Sequence, residues 1–187
     1  KLRSVVSGSN KWLHSTWTVL IVFAIVTAIY YVPASIATKA AESPVKSLNG
    51  LMYLQQEDKD LEQAIYFARK HIPISEGILE GVSEWGTAGI ISRSTGIPNI
   101  INWPGHQGQW RTQPDEINRR ISHVETIYTT NNVNEAKTLL NLYTVRYVLV
   151  SPKEINQYGS NGMDKFATIG KLVFGREDGT RIYKIVK

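Results

Sequence analysis

The sequence predicts an α/β protein: one N-terminal transmembrane helix, then a small extracytoplasmic α/β domain that closes on a C-terminal β-hairpin. Three observations carry that expectation. Residues 12–38 contain no Lys, Arg, Asp or Glu, and residues 19–32 (VLIVFAIVTAIYYV) are almost wholly apolar. Residues 145–150 (VRYVLV) read as a strand, followed at once by a Ser-Pro-Lys-Glu helix start. Helical stripes alternate with short apolar runs between these two landmarks, which is the pattern of mixed α/β layers.

Composition sets the outer bounds. The 187 residues suit one ordinary domain with something attached. A net charge of +5 is spread along the chain rather than gathered into a basic block, so no nucleic-acid partner is expected. The absence of cysteine excludes disulfides and thiolate metal sites, and leaves the compartment open. The chain starts at Lys1 rather than at methionine, which fits a processed product, a trimmed piece or the tail of something longer.

The elements follow in order. Lys1, Arg3 and Lys11 form a basic tail without acids (residues 1–11), and residues 12–36 form the transmembrane helix. A helix needs roughly 20 apolar residues to cross a bilayer. Trp12 and Trp17 at one end, with Tyr30 and Tyr31 at the other, suit the two interfaces, and Pro33 is expected to close the helix. A signal peptide and a buried core helix are the competing readings. The first would have a shorter apolar region and a small-residue exit, the second a polar face. The basic tail places the N-terminus in the cytoplasm and the bulk of the chain outside the cell membrane.

Residues 37–56 read as a juxtamembrane linker, and residues 57–187 as the extracytoplasmic α/β domain. Leu61, Ala64, Ile65, Ala68 and Ile72 mark one face of an amphipathic helix ended by Pro73. Residues 78–82 read as a buried strand, and residues 99–102 as a second short one. Pro114 opens a helix with the stripe Ile117, Ile121, Val124 and Tyr128. Asn132 with Glu135 resembles a capping box ahead of Ala136, Leu139, Leu140 and Tyr143. After the strand at 145–150, Ser151, Pro152 and Glu154 start another helix, and a short one falls near residues 162–169. Residues 172–174 and 181–186 flank Glu177, Asp178 and Gly179 as a hairpin.

Residues 78–111 stand apart. Glycine recurs at 81, 86, 89, 96, 105 and 108 and tryptophan at 85, 103 and 110, with His106 among them. One reading is a shaped, exposed surface that receives a ligand or partner; the other is an irregular segment whose tryptophans plug the core, with Arg111 paired to an acid such as Glu116. Indole faces pack on the apolar faces of sugar rings, while Gln, His and Arg donate to hydroxyls or phosphate. No catalytic constellation is expected: there is no phosphate loop and no G-x-S-x-G elbow. The four histidines show no paired metal spacing, and Glu80 and Glu84 lie four apart, too little for an acid/base pair. Neither a cofactor nor a metal is expected.

The run S-x-x-T-G-I-P (residues 92–98), W-x-G-H (103–106) and Q-W-R (109–111) resembles a known family. So do I-Y-T-T (127–130), L-L (139–140) and Y-x-V-x-Y-V (143–148), and the KF…LVF…IYKIV tail. The chain resembles the C-terminal part of the so-called YYY membrane proteins, many-spanning prokaryotic proteins similar to GT-C-type glycosyltransferases of the protein-mannosyltransferase and oligosaccharyltransferase kind. The resemblance implies a functional face carrying Arg93, Ser94, Thr95, Gly96, Trp103, His106, Gln109, Trp110 and Arg111; Trp85 joins it from composition. GT-C enzymes keep a catalytic acid in an early extracytoplasmic loop between spans, which this one-span chain does not contain. The expected function is therefore a membrane-anchored extracytoplasmic domain of a GT-C-like protein that recognises a glycan, a lipid-linked sugar or an acceptor, without its own catalytic base. The alternative is a non-catalytic single-span structural subunit of a larger membrane complex. The expected partners are the lipid bilayer, a lipid-linked sugar or glycan, and other membrane-protein subunits.

Overall fold

The structure is a computed structural model that describes residues 11–42, 47–84, 86, 88–176 and 179–186. It divides into two compact units, Lys1–Met52 and Tyr53–Lys187.

In the first unit, α1 (Lys11–Glu42) is a continuous helix of 32 residues. Its most apolar window has a mean hydropathy of 2.3 and none of it is buried, so it is long and apolar enough to cross a membrane. The helix does not stop at Pro33, which lies inside it. A proline removes one backbone donor and leaves the other bonds of the ladder intact, a loss that apolar spans tolerate. Beyond Pro33 the helix is reinforced by Thr38 Oγ1, which donates to Ala34 O at 3.0 Å, and by the Lys39–Glu42 pair at 3.1 Å.

The second unit starts with α2 (Leu54–Glu57), so helix enters the expected linker stretch from both sides. Asp58 then caps α3 (Lys59–His71) by accepting from Leu61 N at 2.9 Å. Acids in the first turn of α3 and Arg69, Lys70 and His71 in its last turn complement the helix dipole. Ala64, Ile65 and Ala68 form its buried face, as their spacing predicts.

Strand β1 (Gly77–Leu79) is short and wholly buried. It pairs in parallel with β2 (Val145–Val150), and between them run α4 (Ile90–Thr95), α5 (Pro104–Trp110), α6 (Pro114–Thr129) and α7 (Val133–Leu142). After β2 come α8 (Pro152–Tyr158) and α9 (Lys165–Ile169). The hairpin of β3 (Gly170–Phe174) and β4 (Arg181–Ile185) then completes a four-stranded sheet in the order β1-β2-β4-β3, with β4 antiparallel to both neighbours. The expected turn acids Glu177 and Asp178 lie outside the described residues.

Two local expectations change. Residues 99–102 are not a strand, because Asn99 and Asn102 turn inward to a buried polar cluster while Ile100 and Ile101 enter the core. At α7, Asn132 caps through Asn134 N and Glu135 N, but the Glu135 carboxylate accepts from Thr130 Oγ1 rather than closing a capping box. The box at α8 is complete: Ser151 and Glu154 satisfy each other's backbone donors.

The core packs α6, α7 and α9 on the sheet through Leu79, Val124, Ile127, Leu140, Val148 and Phe166. Tyr128 lies at its centre, stacked on Tyr158 at 4.7 Å and donating to Leu149 O at 2.8 Å. The Lys165 ammonium is buried against the end of α6, donating to Tyr128 O at 3.1 Å and to Gly162 O. Burial pulls its pKa down to about 8 from 10.5. A Cβ at Gly162 would lie 2.3 Å from Tyr128 O, so the chain can pass α6 only as glycine.

Two outcomes follow. Gly162→Ala lowers the unfolding free energy by roughly 1–3 kcal/mol in chemical denaturation, the usual cost of overpacking. Between pH 8 and about 10 the unfolded chain retains the Lys165 proton that the folded chain gives up, so stability rises with pH there. A denaturation series in this window should show that slope in the natural chain and lose it in Lys165→Met.

Candidate functional site

The glycine- and tryptophan-rich segment is organised from its first buried residue. Glu80 follows β1 directly and is 3% exposed. Its Oε1 accepts from Ile91 N at 2.7 Å, and its Oε2 from Ser92 N at 3.0 Å and Ser92 Oγ at 2.6 Å. One side chain thereby satisfies the amides at the start of α4, which would otherwise be buried without partners. Burial raises the Glu80 carboxyl above the ordinary 4.5, while the Ser92 and Ile91 bonds pull the other way. Asn102 Oδ1 lies 3.1 Å from Ser92 Oγ and also accepts from Asn99 Nδ2, bringing the far end of the loop back to the same point.

Gly89 makes this closure possible. Its φ of 51° is left-handed, and a Cβ there would lie 1.9 Å from Asn102 Oδ1. The stretch just after Glu80 is fastened from α8. Gly81 N donates to Glu154 Oε1 at 3.2 Å, Val82 N to the Tyr158 hydroxyl at 2.9 Å, and Gln157 Nε2 to Val82 O at 2.8 Å. Glu154 itself is 1% exposed.

Helix α5 supplies the aromatic part. Pro104 occupies its first turn with Trp103 as N-cap, so the helix starts where the asparagine loop ends. Trp103, His106 and Trp110 are spaced i, i+3 and i+7 and share one helix face. The Trp103 and His106 rings stack at 4.8 Å with 20° between planes, and His106 meets Trp110 edge-on at 5.9 Å. Under this ladder lies a cavity of about 470 Å³ walled by Trp103, His106, Arg93, Asn102, Gln107 and Glu84. Glu84 accepts from Gly105 N at 3.3 Å, which ties the cavity's acidic wall to α5. An indole platform with one guanidinium, one carboxylate, one imidazole and two amides suits a flat, hydroxylated ligand that needs both donors and acceptors.

The predicted residues divide by place. Arg93, Trp103 and His106 meet at the cavity. Trp110 and Arg111 line an adjoining groove of about 200 Å³ with Thr112, Gln113 and Glu116. Trp110 is 77% exposed, so it does not plug the core. Glu116 is taken by Arg120 at 2.7 Å and by Arg119, and the Arg120 bond holds its carboxyl below the ordinary range. Gln109 is exposed on α5.

Ser94 and Thr95 are not among the residues that line the cavity. Arg69 Nη2 donates to the Ser94 carbonyl at 2.8 Å, and Thr95 Oγ1 donates to Ile91 O at 2.7 Å to close α4 ahead of Gly96. Trp85 lies outside the described residues. Sequence reasoning missed Glu84, Asn102 and Gln107 as cavity walls. The signal for Asn102 was its place immediately before Trp103; that for Glu84 was its place beside Trp85. Among the described residues, no group of three or more His, Asp or Glu side chains is arranged to hold a metal ion.

No family model matches the chain, and no curated protein matches it. Among solved structures, it is similar to the crystal structure of the C-terminal globular domain of an oligosaccharyltransferase from Archaeoglobus fulgidus. The TM-score is 0.45 and the identity 13%, over 68% of this chain and 97% of that one. At that level the likeness carries no argument about function.

The loop closure is directly testable. Gly89→Ala forces a side chain into left-handed backbone and into Asn102, which costs roughly 1–3 kcal/mol in denaturation experiments. Its effect on NMR shifts should centre on Asn102 and Trp103 and leave β2 and β4 unmoved.

Proposed function

We propose that the chain is a membrane-anchored extracytoplasmic domain of a GT-C glycosyltransferase-like protein, recognising a glycan, a lipid-linked sugar or an acceptor without a catalytic base of its own. The observation that carries this reading is the Trp103–His106 stack over a cavity walled by Arg93, Glu84, Asn102 and Gln107. Aromatic faces beside paired hydrogen-bonding groups recognise sugar rings by stacking and by their hydroxyls together. Anchoring rests on α1, which has the length and apolarity of a single span. Orientation rests on Lys1, Arg3 and Lys11, which favour a cytoplasmic N-terminus and an external domain. The bilayer is then a partner of the chain, and a polyprenyl-phosphate sugar presents its glycan close to the membrane surface.

A second reading has its own observation. Trp110 is largely exposed beside Arg111 in an open groove, and Trp and Arg are the residues on which protein interfaces most often turn. On this reading the chain is a single-span structural subunit that docks another membrane protein through the groove.

The two readings separate on one experiment with the full chain in lipid nanodiscs. Neutral hexose and N-acetylhexosamine trisaccharides are titrated in solution, and polyprenyl-phosphate-linked sugars are incorporated in the discs. On the first reading, Trp103→Ala lowers sugar affinity about tenfold, corresponding to about 1.4 kcal/mol. Trp110→Ala, which alters the groove and not the cavity wall, then leaves sugar affinity unchanged. Retention of a stoichiometric protein partner that Trp110→Ala releases, with no sugar bound, supports the structural subunit instead.

A further inference from the structure

Glu80 is not part of the cavity wall, yet the residue it holds touches that wall. Glu80 accepts from Ser92 N and Oγ, and Ser92 immediately precedes Arg93, which lines the cavity. Ser92 Oγ also lies 3.1 Å from Asn102 Oδ1, and Asn102 lines the cavity beside Trp103. Asn99 Nδ2 lies 3.5 Å from Glu80 Oε2 as well and donates to Asn102 Oδ1.

On its other side Glu80 lines a separate space of about 260 Å³ at the ends of β1 and β2. We propose that Glu80 is the positioning residue of the aromatic cavity: its bonds to Ile91 and Ser92 set where Arg93 and Asn102 stand, and so whether the cavity accepts a ligand. This inference rests on the cavity being a binding site.

The chemistry is that of acceptor count. As a carboxylate Glu80 offers only acceptors, and donors from Ile91 and Ser92 fill both oxygens. Glu80 Oε2 takes the one Ser92 hydroxyl proton, and Asn102 Oδ1, beside the same Ser92 oxygen, draws its own donor from Asn99 Nδ2. An amide in place of the carboxylate turns a donor toward Ile91 N or Ser92 N, so one of those amides must move and α4 with it.

The test uses the full chain in nanodiscs, comparing it with Glu80→Gln, which keeps the shape but places an amide donor against the same donors. Amide hydrogen exchange is read at Ile91, Ser92 and Asn102 against Val148 and Ile182 in the sheet. The inference requires at least tenfold faster exchange at the loop amides in Glu80→Gln with the sheet unchanged. It also requires that affinity for the trisaccharide probes falls at least tenfold at neutral pH. Loop exchange equal to the natural chain overturns the inference, as does faster exchange throughout the sheet, which marks Glu80 as a global stabiliser. If no probe binds the natural chain, the binding reading fails, and exchange confined to the loop still establishes the positioning contact.

Discussion

A buried carboxylate holds the region between β1 and α6 together. That region has little regular pairing of its own: β1 is three residues long, and α4 and α5 span six and seven residues. Helices that short do not persist without tertiary contacts. Glu80 provides such contacts by taking two amides and a hydroxyl at the start of α4, and through Ser92 it reaches the asparagines that return the chain toward the sheet. Burying a carboxylate is costly unless hydrogen bonds replace its hydration, and here they do. Glu154 performs the same service on the other side of the β1–β2 ends, receiving Gly81 N and capping α8.

The cavity inherits its shape from this arrangement. Because α4 is tied at its start and Asn102 is tied at the loop's return, Trp103 enters α5 from a defined point, and Pro104 sets the direction of that helix. The i, i+3, i+7 spacing then brings Trp103, His106 and Trp110 together on one face, the first two stacked and the last pair edge-on. Glu84 comes from the stretch before α4 and Arg93 from α4 itself, and the fastening of Val82 to Tyr158 and Gln157 keeps the Glu84 end in place.

Much of the fold was legible because it follows from periodicity and capping. The α3 stripe, the α6 stripe opened by Pro114, the strand at 145–150 and the Ser151 box appear where the residues put them. Pro33 was misleading because the breaker rule reflects a single lost bond, and an apolar helix absorbs that loss. Residues 99–102 were misleading for another reason: two isoleucines between asparagines look like a strand, yet both asparagines turn toward Glu80 and Ser92. The site was legible in part. Arg93, Trp103 and His106 meet at the cavity, whereas Thr95 closes a helix and Trp110 faces the groove.

What the sequence determined by itself was local: a span from unbroken apolarity, helices from 3.6-residue stripes and their caps, and an unusual segment from its glycine and tryptophan content. Each of these depends on neighbours within a few residues. What only the tertiary structure decided was which distant groups meet. Glu80 and Asn99 are 19 positions apart, and Gly81 and Glu154 are 73 apart. No periodicity links such pairs, because their approach is set by the parallel pairing of β1 with β2 and by the left-handed turn at Gly89. The tryptophans announced a special surface, but the buried glutamate that shapes it had no signature until the chain was folded.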